Sequence, residues 1–100
     1  MTPIPPKLRK EMSEDEYYTR CVRANFECSG RVTWEHAWIY GGRQIQEKWA
    51  IIPLCVFHHL GAGLNKKENQ KISLLRATEE DLLKYPKKDW NYERIGLGLI

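Results

Sequence analysis

Long apolar runs are missing from this chain. No stretch approaches the roughly 20 residues that a helix crossing a bilayer requires. The opening MTPIPPKLRK has proline and basic residues where a secretory signal would carry an apolar centre. Cysteine is scarce, and its count of three is odd, so no closed disulfide framework can form. Together these absences predict a cytoplasmic protein whose thiols stay reduced, with no membrane partner. Internal repeats and low-complexity segments are lacking too, and 100 residues leave room for a single core. The net charge of +3 tolerates an anionic partner without demanding one.

Three prolines in the first six positions predict an extended, basic arm over residues 1–12, followed by one domain over residues 13–100. Ser13 with Glu16 three residues later reads as a capping box opening one or two helical turns. The segment from Cys21 to Gly30 looks irregular. RVTWEHAWIY is rich in β-branched and aromatic residues and ends at Gly41-Gly42. RQIQEKWAII follows and closes at Pro53, so the pair predicts an antiparallel hairpin. If strand alternation runs through WEHAWIY, Trp34, His36, Trp38 and Tyr40 share one face. After Pro53 the pattern turns helical. NKKENQKISLLRA, polar at first, reads as a helix of about three turns with Ile72, Leu74 and Leu75 as its apolar positions. Thr78 caps another helix before Pro86, and the tail from Lys87 fits no single pattern. The order is that of a small α+β protein.

The scarce residue types are also the clustered ones. Cys21 and Cys28 have six residues between them, and Cys55 and His58 have two. Zinc takes four sulfur or nitrogen ligands in a tetrahedron, and a C-x2-H pair at a strand-to-helix corner supplies two. Three small buried thiols are the alternative. His58 and His59 are neighbours, and on a helix their side chains point about 100° apart. One can therefore complete a structural site while the other serves a functional one; a solvated pair is the alternative. The third histidine sits beside Glu35 in WEHAWIY. A neutral imidazole can take a proton from water and a carboxylate can hold a hard cation, the two functions a nuclease needs. The plain alternative puts Glu35 and His36 on the solvent side of an edge strand. Strict alternation sends them to opposite faces, so both reach one site only where the strand ends or bulges.

Glu35-His36, the Gly-Gly turn and AIIPLCVFHH, in that order, resemble the ββα-metal motif of the HNH endonuclease family. CVRANFECSG is similar to a longer first knuckle of small phage and prophage members, and the resemblance spans roughly residues 20 to 60. It implies a small ββα-metal core with a zinc-knuckle-like Cys/His cluster and additional C-terminal helices. It implies an endonuclease acting on double-stranded DNA, in a host cytoplasm if phage-derived. Under it, His36 is the general base, and His59 with Glu35 holds a catalytic Mg2+ or Mn2+. Cys21, Cys28, Cys55 and His58 hold a structural Zn2+. For such a nuclease Arg31 and Arg43, flanking the first strand, are the expected phosphate clamps, with an ordinary solvated face as the alternative, and Lys66, Lys67 and Lys71 track the backbone or are simply solvated. Ala50 stands where the family carries an asparagine, whose hydrogen bonds alanine cannot make. The same residues also suit a catalytically inactive, zinc-stabilised nucleic-acid-binding module. A structural protein presenting its four tryptophans and five tyrosines to a partner is the third reading.

Overall fold

The computed structural model describes residues 4–24, 27–61 and 63–100. In chain order it contains α1 (Pro6–Ser13), a 3-10 turn over Glu16–Thr19, β1 (Val32–His36), β2 (Ile39–Tyr40) and β3 (Arg43–Gln44). A second 3-10 turn over Lys48–Ala50 then leads to β4 (Ile51–Cys55), α2 (Val56–His59), α3 (Lys66–Arg76), α4 (Glu79–Leu83) and α5 (Trp90–Gly96). This is a small α+β arrangement, and no helix among the described residues is long and apolar enough to cross a membrane.

The expected hairpin is present but broken in the middle. β1 pairs antiparallel with β4, from Val32 opposite Cys55 to His36 opposite Ile51, and β2 pairs with β3 across Gly41-Gly42. Both glycines lie at positive φ, +61° and +78°, as a two-residue hairpin turn requires. Between the two ladders the alternation gives way, because Trp38, Ile45, Trp49 and Ala50 all turn into one core. Trp34, His36, Trp38 and Tyr40 therefore do not share a face as expected: Trp34 packs with Tyr18 and Met12, and Trp38 with Trp49 and Trp90. Pro53 does not close the second strand either; it lies inside β4, opposite Trp34. A proline is tolerated there because β4 has only one strand neighbour, and the Pro53 carbonyl accepts a hydrogen bond from Val22 N at 2.9 Å.

The extended arm expected over residues 1–12 is corrected by α1; residues 1–3 lie outside the described residues. Pro6 occupies the first helical position, where its fixed φ suits a helix and its missing N–H costs nothing. The prolines thus mark a helix start. Met12 is fully buried against Ile4, Tyr18 and Ile51, so α1 belongs to the core. Ser13 ends α1 instead of capping the next turn; Asp15 caps that turn by accepting from Tyr17 N at 3.0 Å.

The cap expected at Thr78 is present, and Asn65 supplies another that was not anticipated. Asn65 accepts from Glu68 N at 3.1 Å at the head of α3, and Thr78 with Asp81 forms a complete capping box on α4. In the tail, Asp89 caps α5 and delivers Trp90 to the core, edge-on to Trp38 at 5.2 Å and to Trp49 at 5.9 Å. Of the apolar positions expected on α3, Leu74 is buried but Leu75 is 65% exposed. The fully buried partners beside Leu74 are polar, Asn69 and Ser73, four residues apart on one face.

Met12→Ala tests whether α1 is part of the fold. It should cost about 2–4 kcal/mol in denaturant unfolding, the usual penalty for emptying a core methionine site. A loose arm would give less than about 0.5 kcal/mol.

Candidate metal centre and adjoining cleft

The strand β4 runs directly into the single turn of α2, and this junction sets both sites. Cys55 is the last strand residue and His58 follows one helical turn later, so their side chains face the same way. The loop carrying Cys21 and Cys28 lies opposite. His58 Nδ1 is 3.1 Å from Cys55 Sγ, 3.4 Å from Cys21 Sγ and 3.5 Å from Cys28 Sγ. All four ligand atoms lie within 4.8 Å of one another, and three of the four residues are buried. A tetrahedral zinc with bonds of about 2.3 Å to sulfur and about 2.0 Å to nitrogen has S···N edges of about 3.5 Å. The donor set and its spacing fit that ion, as the cysteine and histidine spacing led us to expect.

Local packing holds the His58 ring in this orientation. Phe57 meets it edge-on at 5.0 Å, and a side chain at Gly63 would come within 2.4 Å of Phe57 and 2.9 Å of His58. Glycine at position 63 is what lets the ring seat. Arg23 Nη1 donates to the Gly63 carbonyl at 2.5 Å and ties the first-cysteine loop to this corner. Burial raises the Cys21 thiol pKa. Burial pushes Cys55 up as well, but the neighbouring N–H groups of His58 and Ser29 and the His58 ring outweigh it and bring that thiol down to about 6.

His59, one residue on, turns away to a different place. Its Nδ1 is 2.6 Å from Thr33 Oγ1 on β1, whose hydroxyl also donates to the Leu54 carbonyl at 2.8 Å. Thr33 and Glu35 share a strand face by alternation. His36 joins them because β1 ends there. Trp34, Glu35, His36 and His59 accordingly line one cleft of about 520 Å3, walled also by Ile4 and Arg9 from the N-terminal region. The condition set by the sequence, that the strand end or bulge at this point, is met by its ending.

Glu35, His36 and His59 each meet a polar side chain. Glu35 Oε2 accepts from Asn69 Nδ2 at 2.6 Å. Burial raises the Glu35 pKa, while the Asn69 hydrogen bond and the nearby Lys66 and Arg23 charges oppose that rise. His36 Nε2 is 2.8 Å from Gln46 Oε1. An amide oxygen can only accept, so in this contact Nε2 is the donor. Burial first, and the neighbouring His36 second, lower the pKa of His59.

The clamps expected at Arg31 and Arg43 are exposed and lie outside the cleft lining. The cations that do line it are Arg9, Lys66 and Lys88. Arg9 lies over Trp34 at 5.5 Å, and Lys88 pairs with Glu93 at 3.6 Å. Lys67 and Lys71 are not among the lining residues. Sequence reasoning missed Asn69, Gln46 and Thr33, three polar residues that hold the carboxylate and the two imidazoles. The i, i+4 spacing of Asn69 and Ser73 on α3 was the one available signal, but polar residues on a helix read as a solvated face. Compared with protein-family models, curated proteins and solved structures, the chain finds no match.

Elemental analysis of the purified protein should find about one zinc per chain. His58→Ala or Cys55→Ser should lose it and melt at least about 10 °C lower, whereas His59→Ala should keep it. Metal loss in His59→Ala would contradict the division of labour between the adjacent rings.

Proposed function

We propose that the protein is a divalent-metal-dependent endonuclease of the HNH kind, hydrolysing phosphodiester bonds in double-stranded DNA. The observation that carries this reading is the sharing of one cleft by Glu35, His36 and His59 while His58 faces the thiols. His36 takes a proton from the attacking water through Nδ1, with Gln46 holding the opposite ring nitrogen. Glu35 and His59 offer a carboxylate oxygen and an imidazole nitrogen to Mg2+ or Mn2+, which would supply positive charge at the scissile phosphate and the departing 3′ oxygen. Arg9 and Lys66, on the cleft wall, contact the phosphate backbone, with Arg31 and Arg43 available further out. The reduced thiols of a zinc cluster suit a cytoplasmic setting, that of a host cell for a phage-type member.

Ala50 favours a second reading, a zinc-stabilised nucleic-acid binder without catalysis. Its side chain is fully buried and offers no polar group where the family carries asparagine. Its backbone is nonetheless engaged, accepting from Ala37 N at 2.8 Å and donating to the Glu47 carbonyl at 2.9 Å. The backbone path through this corner is therefore held without an asparagine side chain, which supports the catalytic reading over the binder.

Nicking of supercoiled plasmid with Mg2+ or Mn2+ tests the proposal. His36→Ala should lose about 100-fold or more in rate while keeping its zinc, the usual cost of deleting a general base. Equal nicking by wild type and His36→Ala would remove His36 from the mechanism, and no nicking by wild type would favour the binder.

A further inference from the structure

Thr33 sits between two acceptor-capable neighbours. Its Oγ1 is 2.8 Å from the Leu54 carbonyl oxygen and 2.6 Å from His59 Nδ1. A hydroxyl carries one proton. If that proton went to His59, the Thr33 and Leu54 oxygens would face each other at 2.8 Å with lone pairs opposed and no hydrogen between them. If it goes to Leu54, the carbonyl is satisfied and the hydroxyl oxygen is left to accept from an Nδ1–H on His59. Only the second arrangement satisfies every group. It is also the one compatible with the ladder, because Thr33 and Leu54 are register partners across β1 and β4 and cannot move apart without breaking the pairing.

We infer that Thr33 is a positioning residue that fixes His59 as its Nδ1–H tautomer, so that Nε2 is the ring nitrogen left bare to ligate a cation. The inference rests on the nuclease reading for its use of Nε2, but the tautomer itself does not depend on that reading. Metal-binding histidines commonly have one ring N–H held by a hydrogen-bond acceptor while the other nitrogen ligates. A threonine hydroxyl that is already committed to a strand carbonyl is an acceptor by construction. The neutral ring needed for this role agrees with the low pKa that burial and His36 give His59.

The test uses the zinc-loaded full chain, labelled with 15N, and reads the tautomer of His59 from its long-range imidazole correlations at mildly alkaline pH. Wild type should show Nδ1 protonated. Thr33→Val keeps the shape and removes the acceptor, so the ring should pass mainly to the Nε2–H form that free imidazole side chains favour. Thr33→Ser keeps the hydroxyl and should retain the wild-type tautomer. In parallel, the Mn2+ concentration for half-maximal plasmid nicking should rise about 10-fold or more in Thr33→Val with KM for DNA unchanged, and stay near wild type in Thr33→Ser. A wild-type ring protonated on Nε2, or a Thr33→Val ring that keeps the wild-type tautomer, overturns the inference. An unchanged Mn2+ requirement in an active Thr33→Val overturns it too. Absence of nicking by wild type beside the expected tautomers would sink the nuclease reading and leave the positioning by Thr33 standing.

Discussion

Everything at the functional end of this molecule depends on a single helical turn that starts one residue after Cys55. On α2, adjacent side chains diverge by about 100°. His58 is thereby committed to the three thiols and His59 to the face of β1 that carries Thr33 and Glu35. A strand in place of α2 would send the two rings to opposite faces and move Cys55 and His58 out of alignment, losing both sites together. A metal ion held by the Cys3His cluster would in turn stabilise the junction. It would tie the loop from Cys21 to Cys28 onto the end of β4, where a domain of this size has little apolar surface to spare. The structural site and the cleft are thus two consequences of one chain direction.

The cleft also depends on groups far away in sequence. His36 is the last residue of β1, and just beyond it Trp38 turns inward to pack with Trp49 and with Trp90 from α5. Ser73 donates to the Trp49 carbonyl at 2.6 Å, and four residues earlier Asn69 donates to Glu35. One face of α3 thus holds both the 3-10 turn before β4 and the cleft carboxylate. Since Asn69 is only 1% exposed and its Oδ1 has no hydrogen-bond partner among the described residues, its place in the interior is explained by the bond to Glu35.

What the sequence made legible was local. The Gly41-Gly42 turn, the cap at Thr78 and the spacing of the cysteines and histidines depend on residues a few positions apart, and each is found as read. The prolines near the start were misread because Pro at the first helical position and Pro in an extended arm look alike until the burial of Met12 is known. Pro53 was misread because strand edges are a property of the sheet, invisible along the chain. Asn69, Gln46 and Thr33 escaped for a related reason. A polar side chain shows its role only through a partner 34, 10 or 26 residues away.

The position of Ala50 follows from the same distribution of work. In this chain the corner between the Lys48–Ala50 turn and β4 is held by backbone bonds from Ala37 and to Glu47, and by Ser73 on the Trp49 carbonyl. A small apolar residue fits because the surrounding core, with Trp38, Trp49 and Leu74, leaves it no exposure. An asparagine there would bury an amide that needs hydrogen-bond partners of its own. The polar duties near the cleft fall instead to Gln46, just ahead of that turn, and to Asn69 on α3. The two imidazoles that line the cleft are held by Gln46 and Thr33, with no side-chain bond from position 50.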